Sequence, residues 1–268
     1  MIYLRSVEIP PHQLEKEYFP FSLPVWKPTP QFSLKSPVTL FVGENGSGKS
    51  TLLETLALAM NMITIGSESV NRDDSLGRLK ELAWSIKLTW NKKTKRGFFL
   101  RAEDFFGYVK RMNQMKEEMD EELRRVDLDY QNRSDFAKMQ ARAPFAGALH
   151  DMKKRYGENG LDGRSHGESF LALFQNRFVP EGLYLLDEPE VPLSPLRQLT
   201  LISLLKQMEQ QHSQFIIATH SPILLAYPGA TILHFSEDGI QEVPYDDLEH
   251  VNLTRDFLNN PASFLRHL

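Results

Sequence analysis

The spacing of apolar residues predicts a chain in which strands and helices alternate. Residues 1–8 alternate between apolar and polar side chains, as in a half-buried strand. Short runs of β-branched and aromatic residues predict buried strands at 38–42, 182–186, 215–218 and 231–235. Apolar residues at helical spacing predict helices at 49–62 and 195–210. This alternation indicates an α/β fold.

The segments between these elements are expected to be less regular. Prolines recur through residues 10–30, which favours short edge strands and turns over a helix. Residues 83–91 and 97–102 are predicted to form a strand pair, joined by the basic turn Lys92–Arg96. From about 104 to 155 the chain is polar and has a helical pattern, so we expect an inserted helical subdomain there.

The composition excludes several classes of protein. The chain has 268 residues and no cysteine, which excludes disulfides and cysteine-ligated metal centres. Its net charge of −4 gives no overall case for nucleic-acid binding, although a local basic patch is still allowed. The first residues lack the apolar core of a signal peptide, and no apolar run is long enough to cross a bilayer. We therefore expect a cytoplasmic protein without direct membrane insertion.

One segment carries a specific phosphate-binding pattern. Gly43–Ser50 fits G-x-x-x-x-G-K-[ST] and lies between a predicted strand and a predicted helix. The glycines let the backbone wrap a phosphate chain, and the N–H groups at the helix start face the anion. In this pattern Lys49 reaches the β- and γ-phosphates, and the Ser50 hydroxyl binds Mg²⁺. The predicted nucleotide-binding residues are Gly43, Glu44, Asn45, Gly46, Ser47, Gly48, Lys49, Ser50 and Thr51.

An acidic pair follows the apolar strand predicted at 182–186. This strand would deliver Asp187 to the Mg²⁺ shell, usually through a water molecule. Glu188 comes next and is the candidate general base for the attacking water. Taken alone the pair is a weak signal, because two carboxylates at the end of a strand are often a solvated turn.

Three segments together resemble the sequence elements of ABC-type ATPases. Asp187–Glu190 resembles their extended Walker B motif. The segment Ser165–Ser169, upstream of it, resembles the ABC signature loop, usually written Leu-Ser-Gly-Gly-Gln, in the Ser-His-Gly-Glu variant of soluble ABC-like ATPases. His220, within Ala-Thr-His-Ser-Pro, resembles their switch histidine, which senses the γ-phosphate. The resemblance makes Lys49, Glu188 and His220 the expected catalytic residues.

The signature resemblance implies a contact in trans. In ABC-type ATPases this loop contacts the γ-phosphate held by the opposite subunit, which here would involve Ser165, Gly167 and Glu168. The sequence departs from the usual motif, because His166 replaces the first glycine and Glu168 replaces glutamine. Ser165 followed three residues later by Glu168 is also a capping-box pattern, so the segment could simply begin a helix. A capped helix start is itself an anion site, and both interpretations can hold together.

Weaker signals give three more assignments, each with a structural alternative. Pro192–Ser194 occupies the place of the D-loop, or is a plain turn before the next helix. Glu103 ends a predicted strand where the family has its Q-loop, so it is either a further Mg²⁺ ligand or an ordinary strand-end carboxylate. An aromatic residue upstream of the P-loop would stack on adenine, or else pack in the core; the candidates are Tyr18, Phe21 and Trp26.

Along its whole length the chain resembles a set of small bacterial predicted ATPases, often labelled AAA-family and built on the ABC/SMC/RecF plan. The resemblance implies an α/β P-loop NTPase of the ABC-ATPase type, as a single domain over residues 1–268. We expect a central, mostly parallel sheet, an N-terminal antiparallel β portion, and the helical insertion at 104–155. ATP and Mg²⁺ are the expected cofactors, and a homodimer with two composite sites is expected to form on ATP binding.

The sequence leaves three cellular roles open. The first is a mechanochemical or switch ATPase in a DNA-related, defence or stress complex, with an unknown protein partner or nucleic acid. The second is the ATP-binding subunit of an ABC transporter, against which the altered signature loop argues. The third is a nucleotide-sensing regulatory protein, which would not need the complete set of Lys49, Asp187, Glu188 and His220.

Overall fold

The computed structural model describes residues 1–65, 74–156 and 166–266. Within this part of the chain the larger sheet has the strand order β5-β6-β7-β3-β8-β9. Its strands are β3 (Val38–Gly43), β5 (Gly97–Arg101), β6 (Leu183–Asp187), β7 (Gln214–Ala218), β8 (Thr231–Ser236) and β9 (Gly239–Glu242). All neighbours pair in parallel except β9, which runs antiparallel to β8 at one edge. The predicted α/β fold with a mostly parallel central sheet is confirmed.

A smaller antiparallel sheet is formed by the N-terminal part of the chain. Its order is β2-β1-β4, with β1 at Leu4–Glu8, β2 at Gln31–Ser33 and β4 at Lys87–Trp90. The prediction of an N-terminal antiparallel portion is therefore confirmed.

The predicted pairing of residues 83–91 with 97–102 is wrong. The strand β4 pairs with β1, whereas β5 pairs in parallel with β6 in the other sheet. The burial of the two strands explains the difference. β5 is almost completely buried, as suits a sheet covered on both faces, whereas β4 alternates with exposed positions, as suits a half-covered antiparallel sheet.

Helices cover both faces of the larger sheet and create two hydrophobic cores. They are α1 (Lys49–Ala59), α2 (Lys80–Ser85), α5 (His166–Arg177), α6 (Pro195–Gln210), α7 (Pro222–Leu225) and α8 (Glu249–Asn259), whereas α9 (Pro261–Leu265) contacts α8 and has no buried residue. Successive strand residues point to opposite faces, so Leu185 lies in the core with α1 and Leu186 in the core with α5 and α6. Packing on both faces thus fixes the sheet, and the ends of its strands are fixed relative to one another.

Two long helices, α3 (Ala102–Asp129) and α4 (Asp135–Tyr156), occupy the segment predicted to be helical and pack against each other. At about 1.5 Å per residue, α3 is roughly 42 Å long. The treatment of this pair as a subdomain within one domain stays a prediction. None of the helices in the described part of the chain is long and apolar enough to span a membrane.

Candidate nucleotide-binding site

Three adjacent strands bring the predicted motifs to one edge of the sheet. The order β6-β7-β3 is parallel, and the register places Ala218 beside both Phe41 and Asp187. The P-loop at the end of β3, the acidic pair at the end of β6 and the His220 segment after β7 therefore leave the sheet at the same edge. The carboxyl ends of parallel strands are the usual place for ligand binding in such folds.

The backbone of the P-loop requires glycine at two positions where other atoms approach closely. Gly43 has a φ of 148°, and a Cβ there would lie 2.3 Å from the carbonyl oxygen of Phe235. Gly48 has a φ of 102°, and its Cβ would lie 3.3 Å from side-chain atoms of Leu23 and Val25. The segment before β2 thus packs directly on the loop and fixes its shape. Glu44, Asn45 and Gly46 form the exposed part of the loop.

Lys49 is buried at the start of α1, with 5% of its surface exposed. Its Nζ donates hydrogen bonds to the carbonyl oxygens of Gly43 and Glu44, both at 2.8 Å. Burial lowers the pKa of Lys49, and the carboxylates of Asp187 and Glu188 act against this shift. A buried ammonium group beside a loop of backbone N–H groups suits a strongly anionic ligand such as a phosphate chain.

Ser50 and Asp187 meet across the site, as the metal prediction requires. The Ser50 hydroxyl donates a hydrogen bond to Asp187 Oδ1 at 3.1 Å. Burial raises the pKa of Asp187 to about 7, and the negative charges of Glu188 and Glu54 add to the rise, while the Ser50 hydrogen bond and Lys49 oppose it. A hydroxyl and a buried carboxylate with excess negative charge nearby are oxygen ligands of the kind that Mg²⁺ prefers. The residues therefore fit the metal that the fold family implies.

Glu188 and His220 lie side by side at the open edge of the site. His220 Nε2 is 3.8 Å from Glu188 Oε1, and both side chains are partly exposed. Glu188 has a φ of 50°, in the left-handed region, and its N–H donates to the Ala218 carbonyl at 2.9 Å. Strained backbone of this kind persists only where the surrounding structure holds it. Burial lowers the pKa of His220, and Lys49 adds to the shift while Glu188 opposes it, which favours the neutral imidazole.

Part of the predicted signature segment lies outside the described residues, including Ser165. The structure describes the chain again from His166, where α5 begins. A Cβ on Gly167 would lie 2.7 Å from Arg197 Cδ and 3.0 Å from the Pro192 carbonyl oxygen. Glu168 accepts a hydrogen bond from Arg197 at 2.9 Å. The start of α5 therefore packs on the predicted D-loop and the first turn of α6, and its contact in trans stays a prediction.

Glu103 is not brought to the Ser50–Asp187 pair. It lies in the first turn of α3, its side chain is 75% exposed, and its Oε1 is 3.6 Å from the Nε of Arg101. The strand predicted to end at Glu103 ends instead at Arg101. Its role as a metal ligand stays a prediction, with no support from this geometry.

Glu54 is a carboxylate near the site that the sequence reasoning missed. It pairs with Arg101 at 3.1 Å, and its charge helps to raise the pKa of Asp187. The sequence contains a signal for this position, because Glu54 comes four residues after Ser50 on α1 and therefore lies on the same face of the helix as Ser50.

The three candidates for adenine stacking have different environments. Phe21 and Trp26 are completely buried in the core on the α1 side. Tyr18 is 51% exposed, and its hydroxyl donates to the Glu81 carboxylate. Core packing is thus the structural role of Phe21 and Trp26, and only Tyr18 of the three is open to a ligand.

This order of elements, along the chain and across the sheet, is that expected for a P-loop nucleotide-binding domain. Two family models of AAA domains each match a part of the chain that is shorter than half of it. One, described as "AAA domain", matches residues 25–145, and the other, described as "AAA domain, putative AbiEii toxin, Type IV TA system", matches residues 145–226. No curated protein matches the chain significantly.

Solved structures of ABC cassettes and SMC heads resemble the chain over most of its length. An inward-facing "putative metal-chelate type ABC transporter" has 19% identity and a TM-score of 0.48, covering 96% of this chain and 89% of its own. An ATP-binding cassette of an ABC transporter in its ADP conformation has 18% identity and a TM-score of 0.46. The match covers 95% of this chain and 99% of the cassette. The SMC head domain from Thermotoga maritima has 18% identity and a TM-score of 0.43, covering 91% and 99%. Similarity at this level identifies neither a substrate nor a partner.

Proposed function

We propose that the protein binds ATP with Mg²⁺ and hydrolyses it to ADP and phosphate. The observation that carries this proposal is the meeting of Lys49, the Ser50–Asp187 pair and the Glu188–His220 pair at one sheet edge. Each of these groups has the chemistry that its proposed role needs, and the groups come from three adjacent strand ends.

The proposed mechanism depends mainly on positioning. The P-loop backbone and Lys49 hold the β- and γ-phosphates, and Ser50 and Asp187 hold Mg²⁺, which would neutralise charge on the phosphate oxygens. Glu188 orients the attacking water and accepts its proton. The neutral imidazole of His220 donates a hydrogen bond towards the γ-phosphate. Fixed groups of this kind lower the barrier because they need little reorganisation during the reaction.

We further propose that each site is completed by a second copy of the chain. The partner would supply Ser165, Gly167 and Glu168, which would contact the γ-phosphate across a head-to-tail dimer. Exposed apolar side chains beside the Gly167 contact support an association surface here: Val191 is 60%, Leu196 74% and Leu199 54% exposed. Exposed apolar residues close together are typical of surfaces that another molecule covers.

The test combines phosphate release with a measurement of mass. Wild type should release phosphate only with Mg²⁺, and Lys49→Ala should not. Size-exclusion chromatography with light scattering on Glu188→Gln should show a shift from monomer to dimer on addition of ATP and Mg²⁺. No phosphate release by the wild type would contradict hydrolysis. Release without a mass shift would contradict the homodimer and leave the start of α5 as a helix cap.

For the cellular role we propose a switch ATPase in a DNA-related, defence or stress complex. The family description that names a type IV toxin–antitoxin system supports the defence role among these. DNA-stimulated hydrolysis that falls steeply with salt would support a DNA-related role. Growth arrest on expression of wild type, but not of Lys49→Ala, would support the defence role. Activation only by a multi-span membrane protein would favour the alternative of an ABC transporter subunit.

A further inference from the structure

Glu190 is a mostly buried carboxylate that has no assigned role in binding ATP or Mg²⁺. Its Oε1 accepts hydrogen bonds from the backbone N–H groups of His220 at 2.7 Å and Ser221 at 3.2 Å. Burial raises the pKa of Glu190, and hydrogen bonds to the carboxylate, including the one from the His220 N–H, counteract the rise. A buried carboxylate is costly unless it is well paired, so its contacts with the His220 loop are informative.

The backbone of Glu190 is fixed by the same turn that holds Glu188. The Glu188 N–H donates to the Ala218 carbonyl at 2.9 Å, and the Leu193 N–H donates to the Glu190 carbonyl at 2.8 Å. Two hydrogen bonds therefore attach this turn to the chain that leaves β7. One is the backbone bond from Glu188 to Ala218, and the other joins the Glu190 side chain to the His220 N–H. The two attachments thus join the backbone segments that carry Glu188 Oε1 and His220 Nε2, which are 3.8 Å apart.

A second set of hydrogen bonds connects the His220 loop to the predicted D-loop. The Ser221 hydroxyl donates to Gln198 Oε1 on α6 at 2.5 Å, and Gln198 Nε2 donates to the Leu193 carbonyl at 3.2 Å. The path Glu190–Ser221–Gln198–Leu193 thus closes a ring. Movement of residues 192–194 would act on His220 through this ring.

We propose that Glu190 is a positioning residue, which holds the His220 backbone in register with Glu188 and connects it to the 192–194 segment. The proposal rests on the proposed hydrolysis of ATP. Because the P-loop makes the main contacts with nucleotide, loss of Glu190 should lower kcat and leave KM for ATP nearly unchanged. Misplacement of a catalytic group by about 1 Å can reduce the rate by about a hundredfold.

The experiment compares Glu190→Ala, Glu190→Gln and the matched control Glu209→Ala. Glu209 also accepts a hydrogen bond from a partly buried group, the Tyr227 hydroxyl at 2.5 Å, but does so at the other end of α6. We expect kcat to fall about ten- to a hundredfold in Glu190→Ala, with KM changed by less than about twofold. Glu190→Gln should recover most of the loss, because its amide oxygen can accept both N–H groups. A kcat for Glu190→Ala within about twofold of wild type, or a loss as large in Glu209→Ala, would overturn the proposal.

Amide hydrogen exchange separates this proposal from that of ATP hydrolysis. Glu190→Ala should speed exchange in peptides covering 219–222, and Glu209→Ala should not. If wild type does not hydrolyse ATP but exchange changes in this way, hydrolysis is contradicted while the structural restraint by Glu190 holds. Unchanged exchange would overturn the proposed restraint whatever the activity. If Glu190→Ala does not fold, Gln198→Ala provides the test, because it opens the same ring of hydrogen bonds, and unchanged kcat and exchange in that variant would overturn the proposal.

Discussion

The two sides of the candidate site are built from different kinds of contact. On the P-loop side Lys49 and Asp187 are buried, and the loop is fixed by close backbone packing at Gly43. On the other side Gly167 and Glu168 rest against Arg197, whose side chain is 26% exposed, and apolar residues nearby face solvent. The first side has, within one chain, the groups that we propose to bind phosphate and metal. The second side has exposed apolar residues, which are typical of a surface that another molecule covers.

The largest effect is expected on the P-loop side, from Glu188→Gln. Loss of a general base reduces the rate by about a hundred- to ten-thousandfold. ATP binding should persist, because the P-loop and Lys49 are unchanged. Phosphate release and equilibrium binding of a fluorescent ATP analogue measure the two effects separately. Turnover near the wild-type rate would contradict the role of Glu188.

A substitution on the opposite side, Gly167→Ala, should reduce turnover by a smaller factor, about ten- to a hundredfold. The added Cβ would lie too close to Arg197 Cδ and the Pro192 carbonyl oxygen, so the start of α5 must shift. ATP binding to the single chain should not change. Gly147→Ala is the matched control, because a Cβ at this helical glycine meets no atom within 4 Å.

Mixing two variants of low activity tests the comparison directly. A heterodimer of Lys49→Ala with Gly167→Ala has one site in which both the P-loop and the signature segment are wild type. Phosphate release should therefore recover on mixing, towards about a quarter of the wild-type rate if the chains pair at random. No recovery would mean that Gly167 acts within its own chain, through its packing on Pro192 and Arg197.

The motifs of the P-loop side can be located in the sequence because each of them is local. Gly43–Ser50 needs only a strand before it and a helix after it, and Asp187 and His220 each follow a buried strand. The contacts of Glu190 with the His220 loop depend instead on the pairing of β6 with β7, which no single segment encodes. Glu103 was predicted at a strand end because the start of α3 directly after Arg101 was not recognised.

A stability effect should appear with Asp187→Asn in metal-free protein. Burial raises the pKa of Asp187 to about 7, from a usual value of about 3.9. At a pH between these two pKa values, the folded protein keeps a proton that the unfolded chain has released. The free energy of unfolding therefore falls as the pH rises through this range. One pKa unit corresponds to about 1.4 kcal/mol, which makes the effect on the order of a few kcal/mol.

Asp187→Asn has no carboxylate to ionise at this position, so its free energy of unfolding should exceed that of wild type at about pH 8. The difference between the two proteins should be smaller at about pH 5. Urea unfolding in the presence of a chelator measures the difference in free energy of unfolding at each pH. A difference that does not change with pH would contradict the raised pKa of Asp187. Added Mg²⁺ and ATP should stabilise wild type more than the variant, because the variant lacks the metal-binding carboxylate.

The smallest effect distinguishes the two carboxylates near the metal position. Glu54→Gln removes a negative charge that acts on Asp187 and leaves Arg101 paired with Asp104 at 2.8 Å. The Mg²⁺ concentration for half-maximal activity should rise by about two- to fivefold, because the region becomes less negative. Glu103→Gln, on a side chain that is 75% exposed, should leave this concentration unchanged. A larger effect from Glu103→Gln than from Glu54→Gln would favour the metal-ligand role predicted for Glu103, and would mean that the start of α3 moves when the metal binds.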